Sequence, residues 1–281
     1  MLSNRDLVAV LYAYFDESYN HRTERNPYDP LLYTVACWLA PVIQWKKFGK
    51  QWRSALRSVG LEDFHMNEYE GRRGDYEGWP NIRRVNFLKR LHRIVKDHVI
   101  YGCSYTLDRS AFDELVDENW KSAFGTKSCY GFAVFSCLDE LSMWCDRNGY
   151  EDEKIHHVFA HMQRQGSDLD AIFNALLKEP ALKQSVKLTG MWSKGLAKDV
   201  PQLQAADILA YEINKQAINT FGAGTREIRK SLQNLHLYSR GKFHAGYYGR
   251  EQLAKMMADL KRGKIRTLKQ IAEQFTRAKN G

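Results

Sequence analysis

The sequence predicts an α/β protein built on a mixed five-stranded sheet flanked by helices. A helical insertion between strands two and three and a helical C-terminal extension complete the expectation. Three observations carry it. Apolar runs of strand length, rich in Val, Tyr, Phe and Trp, recur along the 281 residues. Between them lie segments whose apolar residues fall three and four apart, the spacing of a helix face. Once the helices of about 41–97 are set aside, the order is three strands, then helix, strand, helix, strand, helix. The expected organisation is one α/β domain over 1–220, insertion included, with the extension over 221–281 packed on it.

The first strand is read at Val8–Phe15 and the second at LYTVACWLA, Leu32–Ala40. HRTERNPYDP joins them, a polar, proline-bearing connection too long for a tight hairpin. Pro41 suits the opening of a helix reaching about Val59, in which Trp45, Phe48, Trp52 and Leu56 recur at helical intervals. A polar, glycine-bearing stretch with His65 and Glu68 leads to a second helix from about Asn81 to Val95. HVIYGCSYTL, His98–Leu107, reads as the third strand, and Asp108 as the cap of the next helix. A longer helix follows over Ser128–Arg147. The fourth strand is expected at Lys154–Met162, a helix at Asp168–Lys178, and the fifth strand at Ser185–Trp192. Pro201–Gln216 reads as a helix, and the remainder as helices with loops near Gly222–Gly224 and Ser239–Gly249.

Composition narrows the function classes. The formal net charge is +9, and the excess is uneven. Arg72, Arg73, Arg83, Arg84 and the KRLHR run Lys89–Arg93 form one basic region. Lys261, Arg262, Lys264, Arg266, Lys269, Arg277 and Lys279 form another, against Glu273 alone. Uneven positive charge is a footprint for polyanions, nucleic acid above all; a solvated basic surface is the plain alternative. The five cysteines form no CxxC pair, which argues against structural zinc and for buried thiols in a reducing cytoplasm. No run approaches the ~20 apolar residues of a membrane span, and MLSNRDLVAV lacks a secretory-signal pattern. The phosphate-loop, dinucleotide-binding, zinc-protease and nucleophile-elbow motifs are all missing; GTKS at Gly125–Ser128 lacks the upstream glycine.

Two segments carry candidate chemistry. AYFDES, Ala13–Ser18, places Asp16 and Glu17 where an apolar strand emerges. Adjacent carboxylates there are costly unless paired, and a hard divalent cation is one natural partner. A polar hairpin loop is the alternative. In PQLQAADILAYEINKQ, Leu203, Ala206, Ala210, Ile213 and Ala217 define a buried stripe with Asp207 at its border. Gln204, Asp207 and Tyr211 share one side of that helix. An Asp in mid-helix has poor propensity, so it calls for a partner: a metal, or a nearby Arg or Lys. His157 and His161 of HHVFAH share a strand face, a spacing with too few ligands for a closed zinc site. Trp38, Trp45, Trp52 and Trp79 read as core, with base stacking as the alternative.

AYFDES resembles the F-x-D-E-S-G motif, and QLQAADILAYEI the Q-x-A-D-x-x-A-x-E motif, of the bacterial family called domain of unknown function 3800. FHMNEY, Phe64–Tyr69, is similar to its middle E-x-H-x segment. The element order is that of the ribonuclease H-like fold, and the family looks like a branch of that superfamily. The resemblance implies a metal-dependent nuclease that hydrolyses phosphodiester bonds of RNA or DNA, in a mobile-element or antiviral-defence setting. Asp16, Glu17, Asp207 and His65 would be its catalytic residues. Asp16, Asp207 and His161 would hold two Mg²⁺ or Mn²⁺ ions. Arg72, Arg73, Lys89, Arg90 and Gln204 would contact nucleic acid. Strand alternation favours Asp16 over Glu17 as the metal bridge. The chain departs from the pattern at Tyr19, where the family has Gly, and at Ala160–His161, where it carries an acid. Asp168, Asp139 and Glu140 are the substitutes considered for that acid. An inactive nucleic-acid-binding protein and a partner-binding subunit whose basic C-terminal helices dock an acidic protein are the alternatives.

Overall fold

The computed structural model describes residues 10–21, 29–117, 126, 128–161, 166–178, 186–222, 226–239 and 241–262. Val8, the middle of HRTERNPYDP, Gly125 and Lys127 of GTKS, and the basic run Lys264–Lys279 lie outside them.

β1 (Leu11–Tyr19) pairs antiparallel with β2 (Leu32–Pro41), Tyr14 opposite Trp38 and Asp16 opposite Ala36. β3 (Tyr101–Asp108) runs antiparallel to β2. β4 (Ile155–Ala160) lies parallel to β1 on its other side, and β5 (Leu188–Gly195) parallel to β4. β6 (Phe243–Tyr248) adds parallel to β3, giving the order β5-β4-β1-β2-β3-β6. The sheet thus has six strands among the described residues where five were expected. The additional strand falls in a segment read as loop within a helical extension. FHAGYY is an edge strand with exposed or half-exposed side chains, so it carries no apolar run to announce it.

The helices are α1 (Val42–Arg57), α2 (Met66–Gly71), α3 (Asn81–His98), α4 (Arg109–Leu115), α5 (Cys129–Arg147), α6 (Gly166–Lys178), α7 (Pro201–Phe221), α8 (Lys230–Ser239) and α9 (Arg250–Lys261). Strand alternation divides the core. Leu11, Ala13 and Phe15 of β1 face α5 and α6, whereas Tyr12 and Tyr14 face the layer of α1, α2, α3, α7 and α8. Central β2 is buried on both faces, which explains its unbroken apolar run. Gly102 permits close packing there: a Cβ would lie 2.4 Å from the Trp38 ring. Ala205, Ala206 and Ala210 bring α7 onto β1 and β2, and the Trp38 indole donates to the Ala205 carbonyl at 3.0 Å.

Glu212 of α7 is fully buried and would be costly alone. Arg229 donates from Nε to its Oε2 at 2.9 Å and from Nη2 to Glu70 at 2.8 Å. Arg84 of α3 approaches Glu70 at 3.6 Å. This network clamps the α7–α8 connection to α2 and α3. No helix of the described residues is long and apolar enough to cross a membrane.

Candidate active site

β1 does not stop at Phe15. It continues to Tyr19 because β2 goes on offering partners as far as Tyr33. The pairing of β1 with β4 ends at Phe15–Phe159, so Asp16 and Glu17 lie in a strand with one flank newly open. β1, β4 and β5 are parallel, and the chain order reverses direction across the sheet between β1 and β4. A crevice at the carboxyl ends of such strands is where open α/β sheets bind ligands.

Asp16 falls on the face that carries Tyr12, Tyr14 and α7. Its Oδ1 accepts the Glu17 backbone N–H at 2.9 Å. Burial pushes the Asp16 carboxyl well above the usual carboxylate range, with the negative charges of Glu17 and Asp207 adding to the effect. Glu17 is pushed up to about 8, mainly by burial, and it too feels Asp207. Its charge also reaches Tyr33 and Tyr130, whose rings meet edge to face at 5.7 Å. Asp16 and Glu17 thus both feel the Asp207 charge, although strand alternation places Asp16 on the α7 face of β1 and Glu17 on the opposite one.

Asp207 owes its mid-helix position to α2. Its Oδ2 accepts the Met66 N–H at 2.7 Å, satisfying one of the donors that the start of α2 leaves unpaired. The same oxygen lies 3.5 Å from Nδ1 of His65, the residue preceding α2. Its partners are thus a backbone amide and an imidazole, where an Arg or Lys was the alternative to a metal. Donation from the imidazole to the Asp207 carboxylate raises the His65 pKa, and the partial burial of the ring opposes it. The His65 side chain is 53 % exposed, within reach of an incoming molecule.

The carboxylate oxygens fit a hard divalent cation in kind, and no basic side chain of the described residues forms an ion pair with Asp16 or Glu17. In arrangement the set is open. No group of three or more His, Cys, Asp or Glu side chains among the described residues stands ready to hold a metal ion. Asp168, in the first turn of α6, bears on Tyr130 together with Glu17 and Asp16.

Other candidates fall elsewhere. His161 follows the end of β4, is exposed, and is held through its backbone N–H to the Gly195 carbonyl at 2.8 Å; no contact joins its ring to Asp16 or Asp207. Gln204 is corrected from a nucleic-acid contact to a core residue. It is 1 % exposed, accepting from Trp52 at 2.7 Å and donating to the Ala197 carbonyl at 2.8 Å. Glu140 is tied to the Tyr101 hydroxyl at 2.6 Å, facing β3 and not β1, while its neighbour Asp139 is exposed. The HHVFAH histidines diverge: His156 bonds Ser193, His157 is buried among Phe15 and Phe173, and His161 is exposed. Trp38, Trp45, Trp52 and Trp79 are core.

Arg72 and Arg73 are exposed at the end of α2, and Lys89 and Arg90 lie on α3 with Arg90 bonded to Ser58. The sequence reading passed over α1. Its buried stripe Trp45, Phe48, Trp52 and Leu56 leaves Lys46, Lys47, Lys50, Arg53 and Arg57 exposed, with no acidic residue on the helix. The charge periodicity of that segment was the available signal.

The raised carboxyl groups set a pH dependence. A carboxyl whose folded pKa lies above its unfolded value retains its proton in the fold, so stability is greatest below about pH 4.5 and falls as the pH rises towards about 8. The raised His65 acts in the same direction, its contribution fading as the pH passes its folded pKa. Metal-free protein should lose on the order of 2 kcal/mol between pH 5 and 8, after discounting for solvent at these partly exposed groups. Thermal melts of the wild type and Glu17→Gln measure this. A slope flattened in Glu17→Gln is expected, and a wild-type melting temperature constant over that range would contradict the assignment.

Compared with protein-family models the chain matches none, and compared with curated proteins it again matches none.

Proposed function

We propose that this protein is a divalent-cation-dependent nuclease on a ribonuclease H-like scaffold, akin to the domain of unknown function 3800 family. The observation that carries the reading is the place of Asp16, on the α7 face of β1 just past the end of its pairing with β4, where its carboxyl feels the charges of Glu17 and Asp207. The order of three antiparallel strands followed by two parallel ones, each preceded by a helix, supports the scaffold.

Asp16, Glu17 and Asp207, with Asp168 at the margin, are the residues that would hold Mg²⁺ or Mn²⁺. Bound there, one or two such ions would supply Lewis-acid polarisation of a phosphoryl oxygen and a water of lowered pKa. The Met66 N–H and His65 fix the orientation of the Asp207 carboxyl. His65, its imidazolium favoured by Asp207, holds a proton at the edge of the crevice for a leaving oxygen. Arg72, Arg73 and the exposed basic face of α1 bind phosphates without reading sequence, so RNA and DNA both fit. The five cysteines are free and buried, which accords with a reducing cytoplasm.

Incubation of purified protein with labelled single- and double-stranded RNA and DNA tests the reading. Cleavage that needs Mg²⁺ or Mn²⁺ and stops with chelator is expected; no cleavage of any of the four would overturn it. The open arrangement of the acids and the displaced His161 favour one rival, a nucleic-acid-binding protein without catalysis. Salt-dependent binding without cleavage would select that rival.

A further inference from the structure

A cavity of about 460 Å³ opens between α3, the end of α2 and the start of α8, away from the acid crevice. Its size falls within the roughly 300–1,000 Å³ of small-molecule sites. His92 of α3 lines it, 1 % exposed, with neither ring nitrogen hydrogen-bonded. Burial pushes this imidazole down to about 3, so it is neutral, one nitrogen a donor and the other an acceptor. Buried polar atoms without partners are rare in folded proteins, and a ligand is one thing that satisfies them. Nε of Arg84, on the same wall, is likewise buried and unpartnered.

The charges of the cavity lean one way. Arg84, Lys89, Arg229 and Lys230 line it, against Glu70 alone. Arg229 is engaged by Glu212 and Glu70, and Arg84 by the Tyr69 carbonyl at 2.7 Å and by Glu70, but Lys89 and Lys230 form no ion pair among the described residues. Lys230 also opens α8, whose N-terminal amides favour an anion. Val85 and Leu88 add an apolar wall beside these cations.

We propose that this cavity is a second binding site, for a phosphate-bearing ligand of mononucleotide size. Its phosphate would sit at Lys89 and Lys230, and its uncharged heterocyclic or sugar part against His92 and the Val85–Leu88 wall. A free nucleotide and the 5′-phosphorylated end of a strand share this chemistry. The site does not depend on a cation at Asp16, although α2 links the two: Tyr69 and Glu70 line the cavity, and Met66 of the same helix holds Asp207.

Calorimetric titration of the full chain with adenosine monophosphate, a 5′-phosphorylated dinucleotide and inorganic phosphate tests the inference. One or both nucleotides should bind at least tenfold tighter than inorganic phosphate, with the tighter of the two identifying the source. The Lys89→Ala/Lys230→Ala double variant, altered on the wall of the cavity and not in the core, should weaken that binding at least tenfold. His92→Phe should weaken it too, in protein shown by melting to be folded. Asp16→Asn should leave it unchanged, which separates this site from the nuclease reading. Absence of nucleotide binding, equal binding of inorganic phosphate, unchanged affinity in the double lysine variant or loss of affinity in Asp16→Asn would each overturn the inference.

Discussion

Asp16→Asn should lower Mg²⁺- or Mn²⁺-dependent cleavage by about 10²–10⁴-fold, the several kcal/mol that a metal clamp supplies in the transition state. The same change should raise the melting temperature of the metal-free protein at pH 8. The two effects have one cause. Asp16 is hemmed in by protein and by the charges of Glu17 and Asp207, so its ionised form is disfavoured in the fold. A neutral amide removes that penalty and also removes the hard anionic ligand. Gain of stability with loss of activity marks a residue kept for function. Asp207→Asn should lose cleavage comparably but without the gain in stability, because its Oδ2 also caps the Met66 N–H at 2.7 Å. Cleavage assays and thermal melts on the two variants check this. Full cleavage by both, or a fall in the melting temperature of Asp16→Asn, would contradict the assignment.

Arg229→Ala should cost about 3–5 kcal/mol in urea-induced unfolding, the penalty for leaving a buried charge without its partner. Glu212 has no exposure, and its Oε2 receives the Arg229 Nε. Its other oxygen, Oε1, is already buried without a hydrogen-bond partner, and the Ser231 hydroxyl near this carboxyl brings no charge to replace the lost guanidinium. Glu70 would retain only the longer approach of Arg84 at 3.6 Å. Adding Glu212→Gln to the variant should restore part of the loss by removing the charge. An exposed pair such as Arg109–Asp113, 3.9 Å apart, should give less than 1 kcal/mol by comparison. A cost below 1 kcal/mol for Arg229→Ala would show that the clamp does not hold α7 to α2 and α3.

What the sequence made legible follows the strength of its physical signals. β2, buried on both faces, declared itself as LYTVACWLA, and α1 and α7 declared themselves through stripes of Trp, Phe and Ala. Asp16 and Asp207 stood out because charge is costly on a core strand and Asp is a poor residue in mid-helix. β6 stayed hidden because an edge strand needs few apolar residues, and FHAGYY exposes most of its own. Gln204 looked available because it shares one side of α7 with Asp207. The fold instead spends its amide on Trp52 and Ala197, partners that helix periodicity does not reveal. Glu212 sat in the same motif as Asp207, but its partner Arg229 lies beyond the end of α7, and only the tertiary fold brings them together. His161 stands with Ala160 where the resembled family carries an acid at the end of the fourth strand, yet β4 ends just before it and leaves the ring in solvent.

On the proposed reading Asp16 and Asp207, with Glu17 adjoining, hold a divalent cation. Calorimetric titration of Mn²⁺ into the wild type and Asp16→Asn at pH 7.5 tests it most directly. The geometry predicts saturable binding at millimolar or lower concentration in the wild type and its loss in the variant. No binding to the wild type, or equal binding to both, would contradict it.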